Sequence, residues 1–167
     1  IDRQDALNAM NPNILRELDQ AIKDCIKDKN IGVIIITGAG KKAFIAGADI
    51  KLMEKLDSEG AIEFGKLGQS VTITIEQSPK PMIAVINGFA LGGGCEIALA
   101  CHMRFANENA NFAQPEVKLG LIPGWGGTQR LPRIVGKGNA TELIVGGHMI
   151  DAKEALRIGL VNKIYTS

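Results

Sequence analysis

Glycines and a carboxylate lie side by side in the middle of the chain, in the segment Ala90-Leu91-Gly92-Gly93-Gly94-Cys95-Glu96. The apolar runs around it predict a buried strand over Met82 to Ile86 and a buried helix over Cys95 to Cys101. The first N–H groups of a helix are unpaired and lie at the positive end of its dipole. The segment therefore predicts a binding site for an oxyanion or a phosphate, although close helix–strand packing would also account for its glycines.

Glu96 is the single charged residue between Met82 and Ala100. A buried carboxylate without partners is costly, so a glutamate here is either exposed by the rotation of the helix or buried for a chemical purpose. In the first helical turn the dipole favours the anion, which suits a general base. A purely capping role for Glu96 stays open at this point.

Gln114-Pro115-Glu116 predicts a second carboxylate on a turn. Pro115 biases Gln114 towards an extended backbone, and a glutamate after such a turn can be directed into a cleft. Two carboxylates that converge on one substrate can divide acid and base work when their environments differ. The spacing of Glu96 and Glu116 leaves open whether they converge, and an isolated loop glutamate is more often simply solvated.

A third segment, Ala46-Gly47-Ala48-Asp49-Ile50-Lys51, follows Phe44 and consists of small residues and one cation. It predicts a further backbone donor, with Lys51 near an anion, or alternatively a tight surface loop. His102 and His148 are isolated from each other and from the cysteines, so they are not predicted to bind a metal.

The elements around these segments alternate between helical and strand patterns. Asn11-Pro12 predicts a helix start, and Ile31 to Thr37 predicts a strand buried on both faces, as does the run at Met82. The first helix has an apolar stripe of Ile14, Leu18, Ile22 and Ile26. Further helices are predicted over 48–68, 126–134, 137–145 and 152–158, further strands over 103–106 and 161–165, and either state over 71–77. The alternation predicts an α/β fold with a parallel sheet, in one domain over residues 1–167.

Composition excludes several classes of protein. The 19 basic and 18 acidic residues give a net charge of +1, which argues against a nucleic-acid partner. The longest uncharged run, between Lys80 and Glu96, is 15 residues and rich in glycine, too short for a membrane span. The three cysteines have no CxxC spacing, so no zinc site or disulfide framework is expected, and a reducing compartment is predicted.

Taken together, these segments resemble the crotonase (enoyl-CoA hydratase/isomerase) family in order and spacing over essentially the whole chain. The segments that match are Asp5-Ala6-Leu7-Asn8-Ala9, 46–51, 83–88, 90–96, Gln114-Pro115-Glu116, 124–131 and 155–161. The resemblance implies a ββα superhelix. It also implies a core domain truncated at both ends, without the usual C-terminal helices, because members of the family extend further.

The resemblance also implies a chemistry. An acyl-CoA would bind with its thioester carbonyl between the backbone N–H groups of Ala48 and Gly93, and Ala48, Asp49, Ile50 and Lys51 would line the CoA cleft. Glu96 would activate a water for attack at Cβ, and Glu116 would protonate Cα. No metal or redox cofactor would be needed.

We expect reversible syn-hydration of a trans-2-enoyl-CoA, by a homotrimer or hexamer in the cytoplasm, or in the mitochondrial matrix of a eukaryote. Two alternatives remain: a Δ3–Δ2 enoyl-CoA isomerase, in which one glutamate suffices, and a non-catalytic binding member of the family.

Overall fold

A computed structural model describes residues 1–166 and shows two four-stranded sheets connected by helices. The first sheet contains, in spatial order, β1 (Ile34–Thr37), β3 (Met82–Ile86), β5 (Met103–Asn107) and β8 (Lys163–Tyr165). The second contains β2 (Ala43–Ile45), β4 (Phe89–Leu91), β6 (Asn111–Ala113) and β7 (Ile150–Asp151). Pairing is parallel throughout, except that β7 runs antiparallel to β6.

Seven α-helices accompany the sheets: α1 (Pro12–Lys27), α2 (Ile50–Met53), α3 (Ser58–Glu76), α4 (Gly93–Ala100), α5 (Gly127–Val135), α6 (Lys137–Gly146) and α7 (Ala152–Arg157). Short 3-10 helices occupy Gln4–Ala6 and Pro115–Leu119. Local sequence signals define the start of α1, because Asn11 Oδ1 accepts the Ile14 N–H at 2.9 Å and Pro12 occupies the first helical turn.

The chain repeats a unit of two strands followed by helices. In each of three successive units the first strand joins the first sheet and the second strand joins the second sheet. The register is regular in the first sheet, where Ile34 pairs with Met82 and Ile83 pairs with Met103. The α/β fold with parallel pairing and the ββα repeat are therefore confirmed.

One prediction about a strand was wrong, and one sheet was not predicted. The strand over 31–37 begins only at Ile34, and its side chains alternate between buried and exposed, with Ile35 exposed, so only one of its faces packs against the core. The second sheet was not predicted from the residues, since its strands have only two or three residues each. The ambiguous segment 71–77 is helical up to Glu76.

Helix α4 lies at the centre of the molecule. All eight of its residues are buried, which explains why the helix has no polar face apart from Glu96. It packs against α3, α5 and the strands β2 and β4. Across residues 1–166, no helix has the length and apolar character needed to cross a bilayer.

Candidate active site

Glu96 lies in the first turn of α4, and its side chain is only 2% exposed. Its Oε1 accepts two backbone N–H groups, from Trp125 and Gly127, each at 2.7 Å. Trp125 lies in the loop before α5 and Gly127 is the first residue of α5, so a distant part of the chain rather than the glutamate's own helix holds the carboxylate. Glu96 is therefore fixed in orientation, and its second oxygen is left for chemistry.

The pKa of Glu96 is raised to about 7, mainly by burial and also by the charge of Glu116. The N–H groups of Gly127 and Trp125 and the charge of Arg130 act in the opposite direction. The helix dipole predicted from the sequence favours the anion, but the cost of removing the carboxylate from water outweighs it. A carboxyl with a pKa close to neutral can take up and release a proton under physiological conditions.

Trp125 forms part of the wall of this site. Its ring lies against Gly93, where a Cβ atom would come within 2.3 Å of ring carbon Cζ3, and its edge meets Phe64 at a centroid distance of 5.5 Å. No larger residue fits at Gly93 without moving the indole. The glycines before α4 therefore serve close packing as well as access to the helix N-terminus.

Glu116 lies in the 3-10 helix Pro115–Leu119, one short helical turn rather than the extended turn that the sequence suggested. It is half-buried, and burial raises its pKa above the ordinary value. With its amide nitrogen turned towards Glu116, the buried Gln114 donates to both carboxylate oxygens at 3.1 Å. Glu116 also lies against Gly92, at which a Cβ would come within 2.8 Å of its Oε1.

The backbone N–H groups of Ala48 and Gly93 take no part in the strand and helix hydrogen bonds around them. Met10 donates to the Gly47 carbonyl and accepts from the Asp49 N–H, so Ala48 between them uses neither of its own backbone groups in this parallel bridge. Gly93 is the first residue of α4, where an N–H has no partner within the helix. Both residues line the same cleft.

That cleft has a volume of about 280 Å³ and brings the two carboxylates together. Glu96, Glu116, Ala48, Gly93 and Ile50 all border it. Its remaining wall is mostly apolar and includes Met53, Phe64, Leu119, Leu121, Ile122 and Trp125. The convergence that spacing left open is therefore present, next to a wall suited to an acyl chain.

Asp49 and Lys51 lie outside the lining of this cleft. The Asp49 carboxylate caps α2 by accepting the Leu52 N–H at 3.3 Å, and it pairs with Arg3 at 2.7 Å. The Arg3 guanidinium holds the pKa of Asp49 below its usual value. Lys51 is exposed. Their roles in binding CoA stay predictions.

Sequence reasoning missed the residues that hold the carboxylates. Gln114 appeared only as part of a motif, and the donors for Glu96 come from a segment 29 and 31 residues later in the chain. Trp125 also lines the cleft. His102 instead accepts the Met82 N–H at Nδ1, 2.9 Å away.

Comparison with known proteins places this geometry in one family. The sequence profile described as enoyl-CoA hydratase/isomerase matches residues 1–167. The chain is 53% identical over 164 residues to a crotonyl-CoA hydratase of Syntrophomonas wolfei, and 52% identical to a short-chain-enoyl-CoA hydratase of Clostridium acetobutylicum. Each alignment covers 98% of this chain and 63% of the relative, so the chain spans less than two thirds of their length.

A solved structure agrees with the sequence comparison. The crystal structure of an enoyl-CoA hydratase from Bacillus anthracis superposes with a TM-score of 0.96 at 43% identity, over 98% of this chain and 64% of that one. The superposition includes both sheets and the helices between them, because nearly the whole chain is aligned. The two-sheet ββα architecture is therefore shared with a protein of that name.

Proposed function

The chain belongs to the enoyl-CoA hydratase/isomerase family, and we propose that it forms the catalytic core of a hydratase that adds water reversibly to a trans-2-enoyl-CoA. The observation that supports this most directly is that Glu96 and Glu116 border one cleft with the Ala48 and Gly93 backbone. An isomerase of this kind needs one glutamate to move a proton. A hydratase uses both glutamates, one as the base and one as the acid.

In the proposed reaction the thioester carbonyl accepts the N–H groups of Ala48 and Gly93. As water attacks Cβ, Glu96 removes one of its protons, and negative charge develops on the thioester oxygen. Donors already aligned with that oxygen are worth about 3–4 kcal/mol each in comparable sites. Glu116 then delivers a proton to Cα, so that one water has been added in total.

The starting pair holds one proton in this scheme, on Glu116, while Glu96 is ionised. Burial raises the pKa of both carboxyls, that of Glu96 to about 7, so the pair can share one proton near neutral pH, and the reacting form is the one in which Glu116 carries it. With both carboxylates acting on the same face of the enoyl group, hydrogen and hydroxyl are added from one side, which gives the proposed syn stereochemistry. After turnover the proton lies on Glu96, and exchange with solvent restores the starting state.

The substrate class and assembly follow the same proposal. The apolar wall accommodates the acyl chain, and the segment with Lys51 faces the CoA end, where a cation suits phosphates. The reaction moves protons and water but no electrons, so it requires no redox cofactor or metal. We include in the proposal a homotrimer or hexamer in a reducing compartment, the cytoplasm or the mitochondrial matrix, in accord with the three free thiols.

The test is made on the complete protein with crotonyl-CoA. Loss of the ultraviolet absorbance of the conjugated thioester, with a 3-hydroxyacyl-CoA as product by mass spectrometry, is the expected result. A parallel reaction with a 3-enoyl-CoA detects isomerisation. Double-bond migration without hydration would replace the proposal with an isomerase, and tight binding of both substrates without turnover would replace it with a binding protein.

A further inference from the structure

One face of α3 is polar and contacts the loop that holds Glu96. Gln69, Thr72 and Glu76 are three and four residues apart, which places them on the same side of the helix. Gln69 Nε2 donates to the Gly124 carbonyl at 2.8 Å, and the buried Thr72 hydroxyl contacts the Trp125 carbonyl at 2.9 Å. The Thr72 hydroxyl also lies 3.0 Å from the Gln69 carbonyl, one turn back.

Arg130 extends this contact to α5. Its Nη2 pairs with Glu76 Oε2 at 2.7 Å, and its Nη1 donates to the same Trp125 carbonyl at 2.9 Å. The carbonyl of Trp125 is therefore held by two donors from different helices. Gln69 and Thr72, on one face of α3, therefore contact two successive carbonyls of the loop, those of Gly124 and Trp125.

The peptide between Gly124 and Trp125 connects the Gln69 hydrogen bond to the Glu96 carboxylate. The Gly124 carbonyl and the Trp125 N–H belong to one planar, trans peptide, so fixing the direction of the carbonyl fixes the opposite direction of the N–H. Gln69 holds one end of this unit, and Glu96 Oε1 accepts from the other end at 2.7 Å. Rotation of the peptide would break both hydrogen bonds together.

We propose that Gln69, with Thr72 as its neighbour on the same face, is a positioning residue for Glu96, acting through the Gly124–Trp125 peptide. The inference rests on the proposed function, in which Glu96 is the base. It adds a role for α3, which touches no reacting atom through these side chains.

The charged groups around Glu96 determine how its pKa responds when the Gly124–Trp125 peptide is held less firmly. Glu116 approaches from the 3-10 helix and Arg130 from α5, while Cys95 precedes Glu96 in α4 and lies near Arg104. The Trp125 N–H lowers the pKa of Glu96 against the effect of burial. Weakening that donor leaves the other groups in place, so the pKa of Glu96 rises.

The test compares Gln69→Leu, Thr72→Val and Gln69→Lys in the complete protein. Gln69 is exposed, so replacing it leaves the core intact, and lysine retains a donor for the Gly124 carbonyl. The matched control is Lys66→Leu, at an exposed position of the same helix where the side chain makes no hydrogen bond within residues 1–166. Hydration of crotonyl-CoA is measured across pH, and the Glu96 carboxyl is titrated by carbon-13 NMR, with Glu96→Gln as the assignment.

For Gln69→Leu we expect kcat to fall roughly three- to tenfold with little change in KM, as for the loss of one neutral hydrogen bond. The NMR titration of Glu96 should move to higher pH, and so should the limb of the kcat/KM profile that follows Glu96. Thr72→Val should move them less, because Arg130 still holds the Trp125 carbonyl. Gln69→Lys and Lys66→Leu should match the parent.

An unchanged Glu96 titration in Gln69→Leu overturns the inference whatever happens to the rate, and so does an equal shift in Lys66→Leu. The titration needs no turnover. If the complete protein does not hydrate crotonyl-CoA, the proposed function fails, while the NMR result still decides whether α3 positions Glu96.

Discussion

The two glutamates of the cleft are the same residue type in different surroundings. Glu96 is almost wholly buried on an α-helix, and two backbone N–H groups hold one of its oxygens. Glu116 is half-buried on a short 3-10 helix, and a side-chain amide contacts both of its oxygens. Rigid backbone donors suit a base that must hold a water in one place, whereas a more accessible carboxyl suits an acid that must regain its proton from solvent.

The largest effect should come from removing either carboxylate. Glu96→Gln and Glu116→Gln each keep the size of the side chain but cannot exchange a proton, so we expect kcat/KM to fall by roughly 10²- to 10⁴-fold in each. Because both groups act on the same addition of water, the double variant should lose little beyond the poorer single variant. Rates of absorbance loss with crotonyl-CoA measure this. Parent-like activity in either single variant, or fully additive losses, would contradict the shared reaction.

A smaller effect should follow from removing the support of Glu116. Gln114→Leu deletes the donor that contacts both oxygens, at a cost of about 1.5–3 kcal/mol for a hydrogen bond to a charged group, or roughly ten- to hundredfold in kcat. Loss of a donor disfavours the anion, so the pKa of Glu116 should rise and the limb of the pH profile that follows Glu116 should move to higher pH.

The control for this variant is Gln77→Leu, because Gln77 is exposed and its side chain makes no hydrogen bond in the part of the chain that the structure describes. It should behave as the parent does. A Gln114→Leu variant in which neither limb moves would show that Gln114 acts only as packing.

A third expected effect concerns the free energy of unfolding, and its sign is opposite to that of the effect on activity. The pKa of Glu96 is about 7 in the folded chain against an ordinary value of 4.5. Between these values the folded state holds the extra proton, so the free energy of unfolding falls as pH rises through this window. Glutamine avoids that loss and still accepts the N–H groups of Trp125 and Gly127.

Above about pH 7, Glu96→Gln should therefore unfold with a free energy up to roughly 3 kcal/mol higher than that of the parent. Urea denaturation at about pH 5 and about pH 8 measures the difference, which should be small at the lower pH. Glu116→Gln should gain less, because Glu116 is less buried. A variant at Glu96 that is less stable than the parent at both pH values would be incompatible with a costly buried charge.

Local signals were sufficient for α1 and β3. The Asn11-Pro12 start of α1 and the buried run of β3 are encoded within a few residues, and they appear where the sequence predicts them. The strands β2, β4 and β6 have three residues each and are defined by pairing with one another, which no local pattern reports. For Val71 and its β-branched neighbours, packing of α3 against α1 decides for helix over strand.

The candidate site likewise combines features that the sequence predicts with features that only the fold produces. Glu96 could be named from the sequence because a carboxylate in an apolar run is unusual in itself, and Glu116 because the turn at Pro115 can direct a glutamate into a cleft. Their convergence, and the donors from Trp125 and Gly127, depend on the fold bringing distant segments together. The raised pKa of Glu96 likewise depends on burial, and the dipole argument from the sequence gave the opposite direction.

The division of labour between the two glutamates is tested most directly by exchange of the Cα proton of a saturated acyl-CoA in deuterium oxide. Butyryl-CoA cannot be hydrated, so exchange requires the thioester to bind and Glu116 to remove and return a proton, without the water that Glu96 activates. We predict that Glu96→Gln retains the exchange measured by NMR and that Glu116→Gln abolishes it. Equal loss in both variants, or exchange that persists in Glu116→Gln, would contradict the assignment of acid and base.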